Sequence, residues 1–74
     1  MAKLPVLSAR EVIQKLKKAG FMFDRHAKGS HEIYYNSVTR RRTVVPNHPG
    51  DVPKGTLKAI IKEAGLTIEE FSEL

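Results

Sequence analysis

The sequence predicts a small α+β protein, a two-layer sandwich in which helices cover one face of a three-stranded antiparallel sheet. An amphipathic segment with a capping box comes first, three short strand-like segments separated by turns follow, and a second amphipathic segment comes after them. A chain of 74 residues is expected to form a single domain, residues 1–74, with one thin core layer between helices and sheet.

The first helix is predicted from about Ala9 to Ala19. Ser8 and Glu11 have the spacing of a capping box, in which each side chain accepts a hydrogen bond from the other residue's backbone N–H. Gly20 supplies the left-handed residue at which helices commonly end. The apolar residues between these ends fall on one side of a 3.6-residue helix: Val12, Ile13, Leu16 and Ala19.

Three strands are predicted next, over about residues 21–26, 30–36 and 41–45, with Pro46 ending the third because it has no N–H to donate. Successive side chains of a strand point to opposite faces, so one of Tyr34 and Tyr35 belongs to the core and the other can stack on a base. An inward Ile33 would place His31 on the helix side too, reaching solvent only at the strand end; a bulge near residue 30 is the alternative.

The second helix is expected after a loop over residues 47–51, with Pro53 in its first turn and Gly65 at its end. Thr67 and Glu70 form a second capping box, which predicts a short terminal helix. The apolar positions that these two helices offer to the core are Leu57, Ile60, Ile61, Ala64, Leu66 and Phe71.

Charge and composition narrow the classes of function. The net charge is +5, and residues 1–66 carry all 13 Lys and Arg but only five of the eight Asp and Glu. This imbalance favours a nucleic-acid partner. The chain has no Cys, which excludes disulfides and thiol catalysis. It has no long apolar segment and no apolar leader in its first residues, so we expect a cytoplasmic protein without membrane contact.

Candidate chemistry centres on His31, which begins a strand just after a glycine-containing turn. Imidazole can both take and give a proton near neutral pH. RNA suits such a group because its 2′-hydroxyl is a nucleophile next to the scissile phosphate. A base that removes the 2′ proton, with cations that stabilise the phosphate, is enough for a slow ribonuclease. The candidate RNA-binding residues near the predicted hairpin ends could line one phosphate path: Arg25, Lys28, Arg40, Arg41 and Arg42. Two lysines after the loop, Lys54 and Lys58, could meet the same phosphates.

No metal and no cofactor are expected. The three histidines, His26, His31 and His48, lack the spacing of a metal site, and the chain has no phosphate-binding glycine loop. Two other readings remain open at this point. One is an RNA-binding module without catalytic activity, and the other is a basic domain that binds an acidic protein.

Three motifs in the order Lys28-Gly29-Ser30-His31, Val45-Pro46-Asn47-His48 and Gly55-Thr56-Leu57 resemble the HicA (YcfA-like) toxin family of HicAB toxin–antitoxin systems. The resemblance covers about residues 10–71. It implies a fold related to the double-stranded RNA-binding domain, a ribosome-independent endonuclease (mRNA interferase) that acts on mRNA, and a HicB-type antitoxin partner. No DNA contact is expected from the toxin alone.

The same resemblance assigns roles to individual residues. It makes His31 the catalytic residue, with His48 and Ser30 as secondary candidates. Many relatives have a second histidine directly after the first, whereas this chain has Glu32.

Overall fold

The chain forms a helix, a meander of three antiparallel strands, a second helix and a short third helix. A computed structural model describes residues 4–74. The expected absence of an apolar leader falls partly on residues 1–3, which lie outside the described residues. The elements are α1 (Ala9–Lys18), β1 (Met22–His26), β2 (His31–Asn36), β3 (Arg41–Pro46), α2 (Lys54–Glu63) and α3 (Ile68–Ser72). The predicted α+β arrangement is confirmed.

The sheet has the strand order β1-β2-β3, and its register decides which side chains face the helices. Tyr34 of β2 pairs with Thr43 of β3, and both are buried, with exposed fractions of 3% and 1%. Because strand side chains alternate, Ile33 and His31 lie on the opposite, more exposed face. The sequence left open which face carries His31, and the structure places it on the more exposed one, with Tyr34 in the core position.

Both amphipathic helices and α3 contribute to a single core on the Tyr34 side of the sheet. Phe71 of α3 is fully buried, although α3 is only five residues long. Both predicted capping boxes are present, at Ser8 with Glu11 and at Thr67 with Glu70. The largest fully buried side chains include Phe21, Phe71, Leu16, Leu57, Ile60, Val12 and Val45.

Several element boundaries differ by one residue from those expected from sequence, among them the end of α1 at Lys18 and the start of β2 at His31. Pro53 is the N-cap of α2 and lies just before its first turn. Pro46 is the last residue of β3 and pairs with His31, which is tolerated because β3 is an edge strand. β1 begins at Met22, and the buried Phe21 belongs to the link after α1.

Within residues 4–74 no helix is long and apolar enough to cross a membrane.

The end of α1 is joined to the β2–β3 turn by the buried side chain of Asn36. Its Oδ1 accepts hydrogen bonds from the N–H of Val38 at 2.9 Å and of Thr39 at 3.3 Å, while its Nδ2 donates to the carbonyl of Ala19 at 3.2 Å. Gly20 has a φ of +102°, and a Cβ there would lie 3.1 Å from the Asn36 Nδ2. Asn36 therefore satisfies both a helix end and a turn.

We expect Asn36→Ala to lower the free energy of unfolding by about 2 kcal/mol, because three hydrogen bonds are lost and the backbone groups of the turn lose their partner. Urea unfolding followed by circular dichroism measures this change. The exposed neighbour Ser37 is the control, and Ser37→Ala should change the free energy by less than about 0.5 kcal/mol. Equal stabilities of the two variants would contradict the assigned role of Asn36.

Candidate functional site

His31 is held by the turn that precedes it. Its ring Nδ1 lies 3.0 Å from the carbonyl oxygen of Lys28. The turn is closed by the N–H of Ala27, which donates to the carbonyl of His31 at 2.8 Å, and Gly29 supplies the left-handed residue with a φ of +68°. A carbonyl only accepts, so Nδ1 carries the proton and the neutral ring keeps its lone pair on Nε2. The turn thus sets both the orientation and the tautomer of an exposed imidazole.

The loop after β3 brings His48 next to His31. The two ring centroids are 6.3 Å apart, with the ring planes at 78°. Ser30 Oγ lies 3.1 Å from both ring nitrogens of His48, and the N–H of Asn47 donates to the carbonyl of Ser30 at 3.0 Å. The three residues that the sequence singled out for chemistry, Ser30, His31 and His48, therefore form one cluster.

The two histidines line a shallow cleft of about 420 Å³ beside β3 and α2. On the α2 side, Glu63 accepts a hydrogen bond from the Thr43 hydroxyl at 2.9 Å. The residues of α2 that form this side of the cleft were not among the candidates predicted from sequence, although they have the helical spacing of one face. The remaining lining residues are Val44, Pro46, Pro53, Thr56, Ala59 and Ile60.

Two of the candidate cations lie at the His31 end of the sheet. Lys28 belongs to the turn that holds the His31 ring. Arg25 pairs with Ile33, so it lies on the same face of the sheet as His31. Both residues are exposed. They are the two predicted RNA-binding residues that the fold places close to the histidine.

The arginine run at residues 40–42 lies at the other end of the sheet. Arg41 pairs with Asn36, whereas Pro46 pairs with His31, so five strand steps or about 17 Å separate the two ends. Successive turns of a meander alternate between ends. The expectation that these arginines form one short phosphate path with Arg25 and Lys28 is therefore not met. A nucleic acid that touches both groups must run along the sheet.

Two arginines of this run, Arg41 and Arg42, have neighbours that distinguish them from a free cation. Arg42 Nε is 3.5 Å from Asp24 Oδ2, and its guanidinium stacks 4.7 Å from the centroid of the Tyr35 ring. The Arg41 side chain lies against Gly65 at the end of α2. Tyr35, the tyrosine on the exposed face, is thus already covered by an arginine.

The lysines of α2 do not face the cleft. Lys58 lines a different groove with Ile61 and Lys62, on the side of the helix away from Thr56 and Glu63. Lys54 is four residues before Lys58 and shares that side. The expectation that both lysines could meet the same phosphates as the hairpin cations is not met for Lys58, which the helix directs to the other side.

Glu32 follows His31 in the chain but points to the helix side of the sheet. Hydrogen bonds from the Asn47 amide and from the Tyr34 hydroxyl hold the pKa of its carboxyl below the usual range. Burial, followed by the hydrogen bond to Glu32, raises the pKa of the Tyr34 hydroxyl. Glu32 is therefore an ionised acceptor at neutral pH that does not face the cleft. Over residues 4–74, no group of three or more His, Cys, Asp or Glu is placed to hold a metal ion.

Comparison with known families agrees with the motifs. A family model described as the HicA toxin of bacterial toxin–antitoxin systems matches residues 9–66, a span that contains α1, the whole sheet, the His48 loop and α2. The chain belongs to the HicA toxin family. It is accordingly a toxin of a toxin–antitoxin system, whose partner is an antitoxin. No curated protein matches the chain.

We expect neutral His31 to carry its proton on Nδ1, since only this tautomer can donate to the Lys28 carbonyl. Long-range ¹H–¹⁵N correlation spectra above the titration range of the histidines distinguish the two ring nitrogens. His26, whose ring is exposed on β1, serves as the internal comparison. A His31 ring protonated mainly on Nε2 would show that the Lys28 contact does not determine the tautomer.

Proposed function

We propose that this toxin is a ribosome-independent RNA endonuclease and that His31 acts as its acid and base on the 2′-hydroxyl and phosphate. One observation carries the proposal. The Lys28 carbonyl holds the His31 ring so that Nε2 keeps its lone pair, in an exposed position that borders a cleft. Such a nitrogen meets the geometric requirement for a general base. Membership of a toxin family supports RNA as the target.

The reaction needs only the RNA and these side chains. His31 Nε2 takes the proton of a 2′-hydroxyl, and the 2′-oxygen attacks the adjacent phosphorus. The bond from phosphorus to the 5′-oxygen breaks, which leaves a 2′,3′-cyclic phosphate and a 5′-hydroxyl. The leaving oxygen needs a proton, and in an in-line displacement it lies opposite the attacking oxygen. His48, with its ring centroid 6.3 Å from that of His31, is our candidate donor, and Ser30 Oγ lies against its ring, 3.1 Å from both nitrogens.

The cations are proposed to bind RNA phosphates at different distances from the phosphate that reacts. Arg25 and Lys28 are proposed to bind the phosphates at the cleft, since they lie at the same end of the sheet as His31. Arg40, Arg41 and Arg42 are proposed to bind a longer RNA that follows the sheet, and Lys54 and Lys58 to bind RNA that extends around α2. In the cytoplasm the mRNA would compete with a HicB-type antitoxin for this toxin.

We expect His31→Ala to lower the cleavage rate of labelled RNA by about 10²- to 10⁴-fold, the usual contribution of a positioned acid–base group. RNA retention on a filter and the melting temperature should not change. His26→Ala, which removes an exposed histidine outside the cleft, is the matched control and should cleave like the wild type. All reactions contain EDTA, because the proposed reaction uses no metal.

The same assay separates the alternatives. A His31→Ala protein that cleaves at the wild-type rate would rule out His31 as the acid–base residue. Retention of RNA by the wild type without cleavage would favour the RNA-binding module, and neither cleavage nor retention would favour the protein-interaction domain.

Charge-removing variants should act according to RNA length. Arg25→Gln combined with Lys28→Gln should raise KM for both a dinucleotide and an RNA of a dozen nucleotides. Replacing Arg40, Arg41 and Arg42 with Gln should affect only the longer RNA, because a dinucleotide cannot span about 17 Å of sheet. With the longer RNA, each lost phosphate contact should lower the salt slope of binding by about 0.7.

Lys54→Gln combined with Lys58→Gln tests the far side of α2 in the same way. We expect no effect on the dinucleotide from this pair. If the arginine triple variant impaired dinucleotide cleavage as strongly as the Arg25 and Lys28 pair, the proposed division by distance would be wrong.

A further inference from the structure

The carboxylate of Glu32 connects the protein core to the loop that carries His48. Its Oε1 accepts a hydrogen bond from the Tyr34 hydroxyl at 2.8 Å, and its Oε2 accepts one from Asn47 Nδ2 at 2.8 Å. Both partners can only be donors in this arrangement, since each faces an ionised carboxylate. A carboxylate is the one side-chain group that offers two acceptor oxygens to two separate donors without presenting a donor of its own.

The Tyr34 end of this connection is rigid. The Tyr34 side chain is only 3% exposed, and its ring packs edge-on against Phe23 with centroids 5.8 Å apart. The hydroxyl therefore has a fixed position set by core packing. A hydrogen bond to an ionised acceptor is stronger than one between neutral groups, so the carboxylate of Glu32 is held firmly in turn.

The Asn47 end reaches the functional site. Asn47 is tied down twice, by its backbone N–H to the carbonyl of Ser30 in the turn before β2 and by its side chain to Glu32 of β2. Ser30 and Glu32 flank His31 in the chain, and His48 directly follows Asn47. The backbone from which the His48 side chain starts is thereby fixed relative to His31.

We propose that Glu32 is a positioning residue that acts through Asn47 to hold His48 beside His31. This inference rests on the proposed function, in which the two histidines work on one phosphate. Glu32 itself does not touch the RNA, because its side chain lies on the face of β2 opposite to that of His31. Glu32 thus stabilises the geometry of the site from the face of the sheet opposite to His31.

The first test compares Glu32→Ala and Asn47→Ala with the control Glu69→Ala. Glu69 is exposed on α3, and its replacement changes the net charge by the same amount as Glu32→Ala. We expect kcat for RNA cleavage to fall about 10-fold in the first two variants with KM within twofold, since a small misplacement of a reacting group has effects of this order. Glu69→Ala should retain the wild-type kcat. If Glu32 only repelled phosphate, Glu32→Ala would instead lower KM and leave kcat unchanged.

Two further variants separate positioning from folding. Asn47→Ala leaves the bond between Tyr34 and Glu32 in place, so its melting temperature should match that of the wild type while kcat falls. Glu32→Gln should recover most of the kcat lost in Glu32→Ala, because Asn47 can turn its amide and accept from the glutamine N–H. The double variant Glu32→Ala with Asn47→Ala should lose no more kcat than Glu32→Ala alone, as expected for two residues that act through one contact.

A measurement without RNA makes the proposal independent of catalysis. In the wild type we expect nuclear Overhauser contacts between the Ser30 β protons and the His48 ring, and these should be lost in Asn47→Ala and Glu32→Ala but kept in Glu69→Ala. If the wild type fails to cleave RNA, the proposed function is wrong, while these contacts still decide whether Glu32 holds His48. If the wild type cleaves and both variants keep its kcat and its contacts, the positioning role is overturned.

Discussion

Burial of Tyr34 is the constraint on which the rest of the structure depends. Because side chains alternate along a strand, an inward Tyr34 sends His31 and Ile33 to the exposed face and Glu32 to the helix side. A slip of one residue in β2 would reverse all of these directions at once. The register between β2 and β3 also determines the position of His48. It places Pro46 opposite His31, so the loop that carries His48 begins next to His31. The same strand register therefore determines both the packing of the core and the positions of the two histidines.

The site is built from backbone contacts at a strand end, as suits a chain too small to enclose a deep pocket. The Lys28 carbonyl orients one imidazole, and the Ser30 carbonyl anchors the loop that carries the other. Both anchors lie in the turn between β1 and β2, so this short segment organises the whole cluster. The cleft itself arises because α2 lies along the edge strand β3 and leaves a shallow space beside the two rings. Such a site depends on a few groups held in place and has little substrate enclosure.

The positive charge is spread over three regions of the molecule. Arg25 and Lys28 lie at the His31 end, the arginines at residues 40–42 lie at the far end of the sheet, and Lys54 and Lys58 lie behind α2. A field of this kind attracts any polyanion and raises its local concentration, but only the first pair adjoins the histidines. The carboxylate of Glu32 keeps its negative charge, but it lies on the other face of the sheet and is held there by two hydrogen bonds.

By itself the sequence determined the elements, their order and the family. The two capping boxes and the left-handed Gly20 just after α1 are local patterns, and local patterns can be recognised without knowledge of the fold. The motif around His31 was sufficient to suggest the HicA family and to select the histidine as a candidate. Only the tertiary structure decided that His31 faces away from the core, that Ser30 meets His48 across 18 residues, that the arginine run lies at the opposite end, and that Asn47 reaches Glu32. These features depend on strand register and on the direction of each helix face, which are set by contacts between residues distant in sequence. The hydrophobic periodicity of a single segment specifies neither the strand register nor the direction of a helix face.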